Sequence, residues 1–169
     1  MEPKTVRRDG TTGGATVPAR HIVTSQTLNA LIAGTVVLTL EGAIPVEYLS
    51  PGDRVITRDS GTATLSAIHS RKQRMKLVAI RAGTLGNSRP DSDAVLPATQ
   101  EILVRDWRAK TLFGAERALV PAERLADGEF IRVIGTREVS VVELCFDAPH
   151  ILYADGLELA SAVVEPVTA

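Results

Sequence analysis

An all-β fold is what the sequence predicts, on three observations. From Thr35 onward, short runs of Val, Ile, Leu and Thr recur between clusters of Gly, Pro, Asp and Ser, the pattern of many short strands joined by tight turns. Helix signals are weak along the whole chain. No repeat with a period of roughly 20 to 50 residues is visible, which argues against propellers and solenoids. The 169 residues are 44% hydrophobic and 23% charged, enough to close one core.

The strands follow in order. Thr35–Leu40 and Ile44–Val46 flank Leu40-Glu41-Gly42-Ala43, a hairpin loop in which glycine supplies the positive φ the turn demands. Pro45 gives an extended entry into Val46, and Ser50-Pro51-Gly52-Asp53 is a sharp turn that feeds Arg54–Thr57. A second hairpin loop, Arg58-Asp59-Ser60-Gly61, leads to Ala63–Arg71, followed by Leu77–Ala82, Ile102–Arg105 and Ala118–Pro121. Val120-Pro121-Ala122-Glu123-Arg124-Leu125 can start a short helical turn, because proline suits a first helical position and Glu123 suits a first turn. Phe130–Ile134, Val139–Phe146, His150–Ala154 and Leu157–Leu159 complete the set. Residues 1 to 20, rich in Thr, Gly, Arg and Pro without periodicity, are expected to form a mobile tail before a domain spanning 21 to 169.

Composition excludes several functions. Lys plus Arg is 19 against 20 Asp plus Glu, a net charge of −1, so no basic excess exists for phosphates and nucleic acid is not the expected partner. The longest nearly uncharged apolar stretch, Ala30 to Leu40, is about half of the roughly 20 residues that span a bilayer, so no membrane association is expected. Met1 to Gly10 holds Lys4, Arg7 and Arg8 but leads into Thr-Thr-Gly-Gly without an apolar run, which does not read as a secretory signal. The cytoplasm is the default compartment, with non-classical secretion left open. The single cysteine, Cys145, forms no internal disulfide, and His21, His69 and His150 show no ligand spacing for zinc, so neither a metal nor a cofactor is expected.

Ala33-Gly34-Thr35-Val36-Val37-Leu38-Thr39, continued by Gly42 to Asp59 with its Pro45-Val46-Glu47-Tyr48-Leu49 and Pro51-Gly52-Asp53-Arg54-Val55 motifs, resembles the opening of a Hint (hedgehog/intein) domain of the bacterial stand-alone type. The resemblance runs on through Ile80–Asn87, Leu103–Ala109, Leu112-Phe113-Gly114, Leu119–Ala122, Leu144–Asp147 and Leu152–Leu157, covering about residues 28 to 165. It implies a compact horseshoe of many short strands with little helix. It also implies a chain that cuts or rearranges its own backbone, starting with attack of a Cys, Ser or Thr side chain on the preceding carbonyl. Most of the matching Gly, Pro and Asp residues are turn formers in their own right.

The positions that the resemblance marks as catalytic carry other residues here. The nucleophile stands four places before the Gly of Gly-Thr, which is Ala30, and a methyl group forms no ester or thioester. The hydroxyl and imidazole of the Thr/Ser-x-x-His motif are matched by Pro97 and Gln100 in Leu96-Pro97-Ala98-Thr99-Gln100; an amide hydrogen-bonds but exchanges no proton near neutral pH. Two later histidines are matched by Glu143 and Pro149. His150 is one place further on and leaves two readings: an Asp147–His150 pair as a remnant of the site, or a strand-edge histidine bonded to structure. Cys145, between Leu144 and Phe146, reads as a small core residue more than a reactive thiolate. The chain's only asparagines are Asn29 and Asn87, so no terminal Asn serves the excision step of splicing.

The resulting expectation is a degenerate Hint-like domain without self-cleavage, not an enzyme, acting as a binding or structural module. Its ligand would be a peptide or protein held in a cleft around Ala30, Gln100 and His150. Three alternatives stand beside it. One is self-processing through Ser25, Thr27 or Cys145 with His150 as base. Another is an alanine introduced at position 30 of an otherwise competent domain. The third is a trans-acting hydrolase built on Asp147, His150 and Ser161.

Overall fold

The computed structural model describes residues 29–86 and 88–162. The expected tail and both ends of the expected domain fall outside them, as do Ser25 and Thr27. Among the described residues the chain forms β1 (Leu31–Ile32), β2 (Val36–Thr39), β3 (Gly42–Pro45), β4 (Arg54–Thr57), β5 (Gly61–Thr64), β6 (Ala67–Ile80), β7 (Ala94–Pro97), β8 (Glu101–Val104), helix α1 (Trp107–Phe113), β9 (Ala118–Pro121), β10 (Ile131–Cys145), β11 (Ile151–Ala154) and β12 (Leu157–Ala160). The fold is all-β, as the sequence predicts.

Two sheets carry these strands. One runs β1-β10-β6-β7; the other runs β3-β2-β4-β11-β12-β8-β9, with β5 paired to β4. Both expected hairpin loops close as read, on Gly42 at φ 116° and Gly61 at φ 82°. The core beneath the sheets is built from Val37, Val46, Val55, Ile80, Leu96, Ile102, Ile131, Phe146, Leu152 and Leu159, all at most 1% exposed.

The same turn is used twice. Pro45 and Pro121, each at φ −57°, end a strand and start the 3-10 turns Val46–Tyr48 and Ala122–Leu125. Buried Val46, Leu49 and Val55 recur as buried Ala122, Leu125 and Ile131 at identical spacing, with Gly52 and Gly128 at positive φ between them. The first turn donates Val46 N–H to the Thr35 carbonyl at 2.8 Å, and the second donates Ala122 N–H to the Gln100 carbonyl at 2.9 Å. Thr35 and Gln100 are thereby placed equivalently, both buried. The helical turn expected after Val120 is this second turn; Val46, expected as strand, starts the first.

Several expectations need correction. The breaks assigned after Arg71 and after Ile134 do not exist: Ala67–Ile80 and Ile131–Cys145 are continuous strands of 14 and 15 residues. They pair antiparallel from Ile131↔Ile80 to Cys145↔Ala67, with one irregularity between Val133 and Gly135. The polar stretch Lys72 to Lys76 resembles a loop in sequence because this part of the ribbon is largely solvated; backbone pairing holds it, without apolar alternation to mark it. Strand β7 was missed beside its Pro and Asp/Ser cluster. Helix α1 was missed because seven residues are too few to show a period. Its ends are locally specified: Asp106 Oδ1 accepts the Arg108 N–H at 3.0 Å, and Gly114 at φ 72° closes it. No helix among the described residues is long and apolar enough to cross a membrane.

Candidate functional site

Asn29 and Ala30 enter the fold where β1 meets β10. The register Leu31↔Val142 and Ile32↔Val141, stepped one residue back, sets Ala30 opposite Glu143. Ala30 is 1% exposed, so its methyl is packed into the protein. Asn29 ties this entry to the rest of the molecule. Its Oδ1 accepts the Glu101 N–H at 2.8 Å, and its Nδ2 donates to Glu101 Oε1 at 3.1 Å and to the Ser161 carbonyl at 3.3 Å.

Gln100, at the turn between β7 and β8, is 0% exposed. Its Nε2 donates to the Glu101 and Ala160 carbonyls, both at 2.9 Å, while its Oε1 has no hydrogen-bond partner. Reversing the amide would set an oxygen against two carbonyls, so the orientation is fixed by the main chain. The side chain therefore braces β8 against β12.

His150 stands just before β11. Its Nδ1 lies 2.8 Å from Asp59 Oδ2 and 3.3 Å from Ser60 Oγ, while its main-chain N–H donates to Ser161 Oγ at 3.0 Å. Asp59 is itself anchored, with Oδ1 accepting the Ile151 N–H at 2.9 Å. Its partial burial opposes ionisation, but the Ile151 N–H and His150 outweigh that and hold the carboxyl below its ordinary value. In the neutral ring, a proton on Nδ1 toward this carboxylate leaves Nε2 as the acceptor. The Phe146 ring packs edge-on to the imidazole at 5.5 Å.

These groups surround one cavity of about 240 Å³, lined among others by Asn29, Asp59, Glu101, Pro149, His150 and Ser161. A larger open groove of about 650 Å³ lies by Arg58, Arg105, Trp107 and Arg117, but Arg58 and Arg105 turn inward to the buried Glu158.

The residues marked from sequence are thus only partly assembled. Pro149 and His150 line the cavity, and Asn29 and Glu101, the chain neighbours of Ala30 and Gln100, reach it in their place. The Asp147–His150 pair does not form: Asp147 Oδ1 accepts from Ser66 Oγ at 3.0 Å, and the carboxylate on His150 is Asp59. The serine–histidine–aspartate hydrolase reading fails with it, since Ser161 Oγ serves the His150 main chain. Glu143 is bound by Arg71 at 2.9 Å. Cys145 is buried, and its burial, with the Glu143 carboxylate nearby, pushes the thiol up from its ordinary value. Sequence reasoning missed Asn29, Asp59 and Glu101 as site residues. Asp59 looked like a turn former, and nothing along the chain links it to His150.

The profile of the Hint domain family matches residues 29–165. Among solved structures, the bacterial intein-like domain from Clostridium thermocellum is 18% identical, covering 80% of this chain and 100% of that one with a TM-score of 0.54. A DnaB intein from Synechocystis sp. PCC 6803 is 11% identical, covering 79% of this chain and 98% of its own, with a TM-score of 0.56. The MchDnaB-1 intein is 14% identical, covering 79% of this chain and 100% of its own, with a TM-score of 0.52. At such identities the likeness is one of fold. Among curated proteins, none matches the chain.

Proposed function

The chain belongs to the Hint domain family, and from that membership we propose that it is a Hint domain without autoproteolytic or splicing activity, serving as a binding or structural module. The observation that carries the reading is Ala30: a packed methyl stands where the resemblance places the nucleophile that must attack the preceding carbonyl. The neighbouring chemistry agrees. Gln100 spends both amide protons on main-chain carbonyls and has none to exchange at neutral pH. Proton transfer by a positioned group is worth about 10²–10⁴-fold, so its loss compounds that of the nucleophile.

The cavity beside Asn29, Glu101 and His150 supports a binding role for an extended peptide. It is concave, and its polar groups are held in place by the scaffold. The Asp59–His150 pair favours a second reading, self-processing through another nucleophile, because it orders an imidazole as a base. Among the described candidates, Cys145 is buried with a raised pKa and Ser161 Oγ accepts the His150 N–H.

Intact mass decides between them. The unmodified protein incubated for days with thiol, and separately with hydroxylamine, should remain one 18.0 kDa species. A species shortened at the Asn29–Ala30 bond, or a trapped ester, would overturn the reading.

A further inference from the structure

The pairing of β6 with β10 assembles a cluster that no spacing in the sequence announces. Glu143 lies directly opposite His69, and Cys145 lies two residues further along β10, opposite Ala67. All three side chains emerge on one face of the ribbon. An imidazole nitrogen, a carboxylate oxygen and the sulfur lie within 4.8 Å of one another. We propose that His69, Glu143 and Cys145 form a binding site for a thiophilic divalent cation of the Zn²⁺ type, clasping β6 to β10 beside Ala30.

Ligand chemistry selects the ion. A thiolate with an imidazole and one carboxylate suits Zn²⁺ or Co²⁺, and lacks the oxygen-rich set that Ca²⁺ and Mg²⁺ require. Zn–N distances of about 2.0–2.1 Å and Zn–S of about 2.3 Å put tetrahedral ligand atoms about 3.3–3.6 Å apart, so the cluster, with its atoms within 4.8 Å, has to tighten by roughly an ångström at most to hold the ion. His69 is exposed, which gives the ion a path in and lets water complete the coordination. Arg71 contacts Oε2 of Glu143, and the carboxylate has a second oxygen for the metal. Binding expels the Cys145 thiol proton to solvent, and the cation then faces a thiolate, an imidazole and a carboxylate whose charge it shares with Arg71.

Titrating the full chain with Co²⁺ tests this, because Cys145 is the only cysteine and any thiolate-to-cobalt charge-transfer band reports it. A band saturating at one equivalent is expected, weakened at least tenfold in apparent affinity by His69→Ala and by Glu143→Gln and abolished by Cys145→Ser. Zn²⁺ should compete the band away and raise the Tm of the unaltered protein, but not that of His69→Ala, whose exposed substitution leaves the fold intact by circular dichroism. The proposal fails if no band develops, or if both His69→Ala and Glu143→Gln leave it unchanged, since a lone thiolate would then suffice.

Discussion

Glu158 and His150 belong to one hairpin, β11–β12 with its flanks, and their surroundings differ sharply. Glu158 is buried, yet Arg105 donates to both its oxygens at 3.0 and 2.9 Å, Arg89 reaches one at 3.2 Å and Arg58 stands at 3.8 Å. Its valences are spent inside the protein. At the other end, the buried Oε1 of Gln100, the chain neighbour of cavity-lining Glu101, has no hydrogen-bond partner among the described residues, and of the Glu158 cluster only Arg89 Nε is left in the same state. The lesson is that burial of a polar group does not by itself mark a site: a carboxylate paired on both oxygens is scaffold, and only an atom left unpaired keeps capacity for a ligand.

The largest effect should come from the saturated end. Glu158→Gln leaves up to three arginines around a neutral amide and should cost about 3–5 kcal/mol, read as a fall in the denaturant midpoint at unchanged slope. A loss below about 1 kcal/mol, the level of an exposed pair, would mean the cluster is not the brace it looks like. A smaller effect is expected at the cavity. Asn29→Ala removes three hydrogen bonds that join the β1 entry to Glu101 and Ser161, at a cost of about 1–3 kcal/mol.

The smallest effect is pH-dependent and separates the two ends. Asp59 titrates below its ordinary 3.8 in the folded chain, so its contribution to stability is present above that value and disappears as pH falls through the lower folded-state value. Asp59→Asn should therefore flatten the acid limb of the stability profile below about pH 4 while leaving the Glu158 cluster unaltered. An acid limb of unchanged steepness would place the dependence elsewhere, Asp127 being the next candidate because three main-chain N–H groups converge on its Oδ1.

What could be read in advance follows the range of the interactions. Hairpins on Gly42 and Gly61 and the turn after Pro121 are written in a few adjacent residues, and they formed as read. The length of β6 and β10 was not legible, because Lys72–Lys76 carries no apolar alternation that would mark it as strand. Ala30 and Gln100 are marked by motif spacing, but of the two readings left for His150 the pair with Asp147, near in sequence, does not form, and Asp59 from another hairpin supplies the carboxylate. The β6–β10 cluster escaped for the same reason: strand register, invisible along a single chain, sets His69 against Glu143.

The most direct test restores the missing sulfur. The Ala30→Cys variant, purified and held with excess thiol, should stay at full mass, because Gln100 and Pro149 still stand where proton-transfer groups are required. Appearance of a fragment cut immediately after Asn29 would contradict this, and would show that one methyl group was all that kept a working domain silent.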